Sequence, residues 1–167
     1  MLHRILFVLL LCLSMMSDTF AEGLKHLAVL EFRGVGLNAQ IVLNLSDQTR
    51  RAATELLSKD EYLILTRETM MEILSDMGKD ATCLDGMCEL EVGRNIQADI
   101  IVTGDIVQYG DTYVLTLKLY STVSGALLHT VEVQEKDLLA LKNKTFSESK
   151  ELFQKGLGLS GGSSGTV

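Results

Sequence analysis

Glu91-Val92-Gly93-Arg94-Asn95-Ile96-Gln97-Ala98-Asp99-Ile100-Ile101-Val102-Thr103-Gly104-Asp105-Ile106-Val107 changes its hydrophobic period halfway along. Up to Gln97, Leu90, Val92 or Gly93, and Ile96 recur at helical spacing, which predicts a short helix over 89–97. From Ile100 the residues are largely β-branched, as a strand requires. Ala98-Asp99 joins the two. Beyond this strand, Gln108-Tyr109-Gly110-Asp111 reads as a turn. Tyr113, Leu115, Leu117 and Leu119 then alternate with Val114, Thr116, Lys118 and Tyr120, so one face is buried and the other partly wet. Thr122-Val123-Ser124-Gly125 turns the chain again. A partner strand over 126–134 puts Leu127, Val131 and Val133 on one face. A last helix begins at Lys136 and carries Leu138, Leu139, Leu141, Phe146, Leu152 and Phe153. Its pattern is weakest from Asn143 to Ser147.

Upstream, Leu27-Ala28-Val29-Leu30 is apolar at every position, as in a central strand buried on both sides. Arg33-Gly34-Val35-Gly36 breaks it, and Asn38 is placed to cap a helix over 39–58. Ile41, Val42, Leu45, Ala52, Ala53, Leu56 and Leu57 form that helix's apolar stripe. Asp47, Arg50, Arg51, Thr54 and Glu55 lie on its other side. Tyr62-Leu63-Ile64-Leu65 is a short strand. Thr66 caps a second helix from Arg67 to Met77, with Met70, Met71, Ile73, Leu74 and Met77 inward and Gly78 as its stop. Such spacing favours core packing over a soft metal or partner site. The order is β-α-β-α-α-β-β-β-α, with parallel pairing across the helices and hairpins at the end. The fold class is therefore mixed α/β (α+β): one mixed sheet with packed helices.

The first 21 residues have another purpose. Arg4 gives a positive start, Ile5 to Leu13 is an apolar run too short to span a bilayer, and Thr19-Phe20-Ala21 offers a cleavage site after Ala21. We expect a removed signal peptide over 1–21, one domain over 22–155 and a Gly/Ser-rich disordered tail over 156–167. A retained anchor is the other reading of the signal. Leu10-Leu11 before Cys12 disfavours lipidation there. The chain is 47 % hydrophobic, lacks Pro and Trp, and has a formal charge of −7. Arg4 and Asp18 cancel on signal removal. An acidic domain repels phosphate backbones, so no nucleic-acid partner is expected.

Cys83 and Cys88 remain after Cys12 leaves. An even count in an exported chain reads first as a disulfide, and Asp85-Gly86 favours the turn that would close it. In the chain-entropy picture, so short a loop contributes about 2 kcal/mol. Free thiols, or half a metal or redox site, are the other readings. His26 and His129 lack a nucleophile in a recognised elbow and read as structural. Gly34-Val35-Gly36 followed by Ala39 is placed like a phosphate loop. However, Leu65-Thr66 holds no acid at the end of the second strand, and Asp60 precedes that strand. Asp99, Asp105, Glu89 and Glu91 are the densest carboxylate set, with Asp105 expected to face solvent. No catalytic residue, metal site or cofactor is expected.

Several of these stretches together resemble one group of envelope domains. They are Leu27-Ala28-Val29-Leu30-Glu31-Phe32, Tyr62-Leu63-Ile64-Leu65-Thr66-Arg67, the run 91–106, the hairpin 110–119 and the turn 122–125. The chain is similar over about 24–135 to the amino-terminal domain of periplasmic TolB and to CsgG-type and LpoB-type envelope domains. The pattern G-R-x-x-x-A-D-x-x-V-x-G, from Gly93 to Gly104, is its most specific part. Gly104 there leaves room for a crossing side chain. The resemblance implies a non-enzymatic domain that binds another envelope protein, in the periplasm and with outer-membrane association. No propeller segment, pore-forming hairpin or lipid-attachment cysteine is read in these residues, nor a stable transmembrane segment once the signal is gone. Gly34, Gly36 and Asn38, with Arg50, Arg51 and Glu55, are the candidate partner contacts, acting through a loop, a helix face or a sheet edge. A small-ligand or lipid carrier, with a pocket between the sheet and the Met-rich second helix, is the competing class.

Overall fold

Successive residues of a strand point to opposite faces, so strands that are apolar throughout must feed two cores. In the computed structural model, which describes residues 23–76 and 88–159, Leu27 and Val29 enter one core and Ala28 the other. Ile100 and Val102 separate from Ile101 in the same way. The elements are β1 (Lys25–Val29), β2 (Arg33–Gly34), α1 (Ala39–Leu56), β3 (Tyr62–Leu65), α2 (Arg67–Asp76), α3 (Cys88–Asn95), β4 (Ile100–Tyr109), β5 (Thr112–Ser121), β6 (Leu127–Glu135) and α4 (Leu138–Gly156). The sheet runs β3-β1-β4-β5-β6, with β2 also on β4. β1 is parallel to β3 and β4, and β4, β5 and β6 are antiparallel. The mixed class and the element order are as expected, with β2 added. Among the described residues no helix is long and apolar enough to cross a membrane.

The chain passes from β1 through α1 to β3 on one side, then through α2 and α3 to β4 on the other. The carboxyl ends of β1 and β4 therefore flank a topological switch point, the usual place for a crevice in such sheets. α1 and α4 cover one face, and α2 and α3 cover part of the other.

The run that decides the order is built from structural contacts. A Cβ on Gly93 would meet Ile101 and Thr122 methyls at 2.7 Å, so glycine lets α3 lie against β4. Arg94 Nε donates to the Thr122 carbonyl at 3.0 Å. Asp99 ties the strand starts together: its Oδ2 accepts from the His26 N–H, and its own N–H donates to the His26 carbonyl, both at 2.8 Å. Gly104 lies beneath the Phe32 ring. The Asn38 and Thr66 caps form as expected.

Several expectations are corrected. Arg33-Gly34 is a strand rather than only a break: Phe32 turns over Gly104 and the chain returns to pair with Asp105 and Ile106. Met71 is 51 % and Leu139 64 % exposed, because a stripe of helical spacing is wider than the surface it meets. A bulge opposite Leu119 and Tyr120 pairs Leu127 with Tyr120, which moves Leu127 off the face of Val131 and Val133. The last helix is continuous through 143–147, since Thr145 and Ser149 satisfy their hydroxyls on carbonyls one turn back. Their stripe packs on α1, where Thr49 and Ser149 share a 2.8 Å hydrogen bond. Gly156 belongs to that helix rather than to a tail, and Leu157 and Leu159 pack against the core. The signal segment, Met77, Gly78, the Cys83–Cys88 pairing and residues 160–167 lie outside the described residues.

Candidate functional site

At the switch point, α2, α3 and the start of the β1–β2 connection enclose a cleft of about 90 Å³. Met70 and Leu74 of α2 and Val92 and Ile96 of α3 supply apolar walls. Thr103 and Gly104 contribute from β4, and Met71 from the outer side of α2. Thr103 is only 3 % exposed, and its Oγ1 has no hydrogen-bond partner. Such an orphan is uncommon in a buried site, where polar groups are normally satisfied.

Four charged residues, Glu31, Arg33, Arg67 and Glu89, complete the lining. Each is already paired. Arg67 Nε meets Glu31 Oε1 at 2.6 Å, and its Nη2 meets Asp47 at 3.0 Å. The hydrogen bond to Glu31 outweighs burial and raises the Arg67 pKa above its ordinary value. Arg33 bridges Glu89 at 2.9 Å and Asp105, and Lys118 reaches the other Asp105 oxygen at 2.9 Å. Asp105 was expected in solvent. It is half-buried instead, because Arg33 of β2 and Lys118 of β5, on the strands that flank it in the sheet, hold its two oxygens.

Burial pushes the Asp105 pKa up, but the hydrogen bonds from Lys118 and Arg33 outweigh it and hold the carboxyl below its ordinary value. A depressed folded pKa contributes stability that is complete above the unfolded value near ~3.9 and is lost as pH falls through the folded one. Urea midpoints measured between about pH 6 and 2 should therefore fall less steeply for Asp105→Asn than for the parent chain. Parallel profiles would remove Asp105 from the acid response.

The candidate partner contacts fall in three places. Gly34 is in β2, where a Cβ would lie 2.6 Å from Val42 Cγ2. Gly36 has φ +75° with open space around it, and Asn38 caps α1. Arg50 does not share the exposed face read for it. Its side chain is 14 % exposed, pairs with Asp47 and Glu31, and donates to the Val29 carbonyl at 2.8 Å. Arg51 and Glu55 lie at the α1–α4 seam, paired at 2.8 Å, with Arg51 over the Phe146 ring and Lys150 near both. His26 Nδ1 lies 3.1 Å from the Gln97 carbonyl, and His129 is in β6. Among the described residues no three His, Cys, Asp or Glu side chains are grouped to hold a metal. The carrier alternative places a pocket between the sheet and the Met-rich helix, where this small cleft lies. Thr103 and the ion pairs were missed, because nothing local in a strand sequence shows which hydroxyl will lack a partner.

No protein-family model and no curated protein matches the sequence. Solved structures do share the fold. The LpoB C-terminal domain from Salmonella enterica is 15 % identical, with TM-score 0.51 over 70 % of this chain and 88 % of that one. Lipoprotein GNA1162 from Neisseria meningitidis is 12 % identical, with TM-score 0.54 over 74 % of this chain and 94 % of that one. The LpoB C-terminal domain from Escherichia coli is 14 % identical, with TM-score 0.50 over 75 % and 92 %.

Proposed function

We propose that this chain is an exported, non-enzymatic protein-interaction domain of the cell envelope, an adaptor or assembly module working in the periplasm. The observation that carries it is the open end of the sheet. β6 is a nine-residue edge strand, and among the described residues no strand lies beyond it. Thr130, Glu132 and Gln134 on it are exposed. Proteins usually shorten or cover such edges, and a long one offers main-chain hydrogen bonds to an added strand. The fold shared with the LpoB C-terminal domain and with lipoprotein GNA1162, and the apolar leader over 1–21, support the same reading. Gly36 and Asn38 between β2 and α1, with Gly34 at the end of β2, and the pair Arg51 and Glu55 are proposed as secondary contacts. Arg50 would act there by positioning. Association with the outer membrane, cleavage after Ala21 and a Cys83–Cys88 disulfide belong to the same proposal.

The carrier reading has the cleft in its favour, but 90 Å³ is well below the roughly 300 Å³ at which drug-sized ligand sites begin. A lipid or metabolite would not be enclosed.

A photo-reactive residue at Thr130 or Glu132 of the full chain, expressed in its native cells, tests the reading. The expected result is one recurrent protein adduct in the envelope fraction, absent when the probe sits at Lys59. The recovered chain should begin at Glu22, contain no free thiol, and lose about 2 kcal/mol on reduction. Unprocessed chain in the cytoplasm with reduced thiols would overturn the compartment, and equal labelling at all three sites would overturn the edge.

A further inference from the structure

We propose that the cleft between α2, α3 and β4 receives a single aliphatic side chain, of leucine or methionine size, from the partner protein. This rests on the interaction-domain reading above and names how the partner is anchored.

Size comes first. An apolar cavity of about 150 Å³ takes up benzene. At about 90 Å³ this cleft suits the tip of one aliphatic side chain and little more. Charge comes second. Arg33, Arg67, Glu31 and Glu89 at the lining are all engaged in ion pairs of 2.6 to 3.0 Å. A charged ligand would have to break those pairs, whereas a neutral apolar group enters without disturbing them. The third reason is the orphaned hydroxyl. Thr103 is almost wholly buried in the cleft wall, and its Oγ1 has no partner. A methionine tip would bring one polar atom, its thioether sulphur, to accept from it. The wall material fits as well. Met70 and Met71 are unbranched and adapt to an inserted group. Binding energy at protein interfaces concentrates in anchors of this kind, set in small desolvated pockets beside larger surfaces that contribute less.

The test uses the mature chain and two probes, N-acetyl-leucine-N-methylamide and its methionine counterpart, followed by NMR. Saturable shifts confined to the methyl groups of Leu74, Val92, Ile96 and Met70 are expected. Met71→Trp fills the cleft from an exposed position and should abolish them without unfolding the chain. Thr103→Val removes a hydroxyl that has no protein hydrogen-bond partner. It should hold or raise the urea midpoint, bind the methionine probe up to about five-fold more weakly, the size of one ordinary hydrogen bond, and leave the leucine probe unchanged. Shifts that are absent, scattered, or unchanged in both variants would overturn the anchor.

The photo-adduct at Thr130 separates this proposal from its premise. Loss of the adduct in Met71→Trp supports the anchor. An adduct undiminished in that variant overturns the anchor and leaves the interaction domain standing. No adduct in any variant, with the titration intact, overturns the interaction domain and with it the partner as source of the side chain.

Discussion

Phe153→Ala is expected to cost about 3–5 kcal/mol, the range for truncating a fully buried aromatic residue. Phe153 has no exposed surface and is among the largest fully buried side chains of the molecule. It sits in the core that joins α1 and α4 to the sheet, together with Leu141 and Leu152. α4 approaches the sheet closely, since a Cβ on Gly156 would lie 3.1 Å from the Cβ of His129. A helix held that closely cannot slide inward to fill the space left by a lost ring, so a cavity should persist. Domains of this size are stable by about 5–15 kcal/mol, so the loss is a large fraction of the total. Urea unfolding of the mature chain and the variant checks it. A loss under about 1 kcal/mol would mean that α4 is not docked as described.

Gly104→Val should be the next most damaging single change. A Cβ there would lie 2.6, 2.7 and 2.8 Å from three carbons of the Phe32 ring. Phe32 is itself buried and belongs to the same core as Leu27 and Val29. A flat ring cannot yield as the end of a flexible side chain can, so either Phe32 leaves its place or β4 shifts. Overpacking of this kind costs about 1–3 kcal/mol, and more when backbone must move. Phe32→Leu should itself destabilise, but the two changes together should cost less than their sum, because the smaller side chain makes room. Such coupling is the signature of direct contact in a double-mutant cycle. Strict additivity would separate the two residues.

The same pair shows what was legible in the sequence. A glycine inside a β-branched strand signals a close approach, and Phe32 is what crosses there. Asp99 was legible as the entry to β4 because a polar residue at a helix-to-strand junction has backbone groups to satisfy. Asn38 and Thr66 were legible as caps because capping is local chemistry. Features set by distant residues were not. Arg50 reads as one more charged residue on a helix face beside Asp47, yet the chain at the end of β1 offers it the Val29 carbonyl and the Glu31 carboxylate to bind. Leu127 reads as inward by alternation until the bulge reverses its face. Thr49, Thr145 and Ser149 are buried between α1 and α4, and Ser46 is buried beside Glu31, but a hydrophobic stripe read from apolar residues alone passes over them. A pocket at this position belongs to the competing carrier reading, and the cleft found there is small. Its volume and its orphaned hydroxyl depend on how α2 and α3 meet β4, which no local pattern encodes.

The central claim is that this domain works by holding another protein with its surface. Native mass spectrometry of the tagged chain taken from the envelope of its own cells tests that most directly. The account predicts a discrete assembly heavier than the processed chain alone. It also predicts that Glu132→Lys with Gln134→Lys on the exposed edge strand disperses that assembly while leaving the urea midpoint in place. A lone processed chain in both preparations, or the same assembly in both, would contradict it.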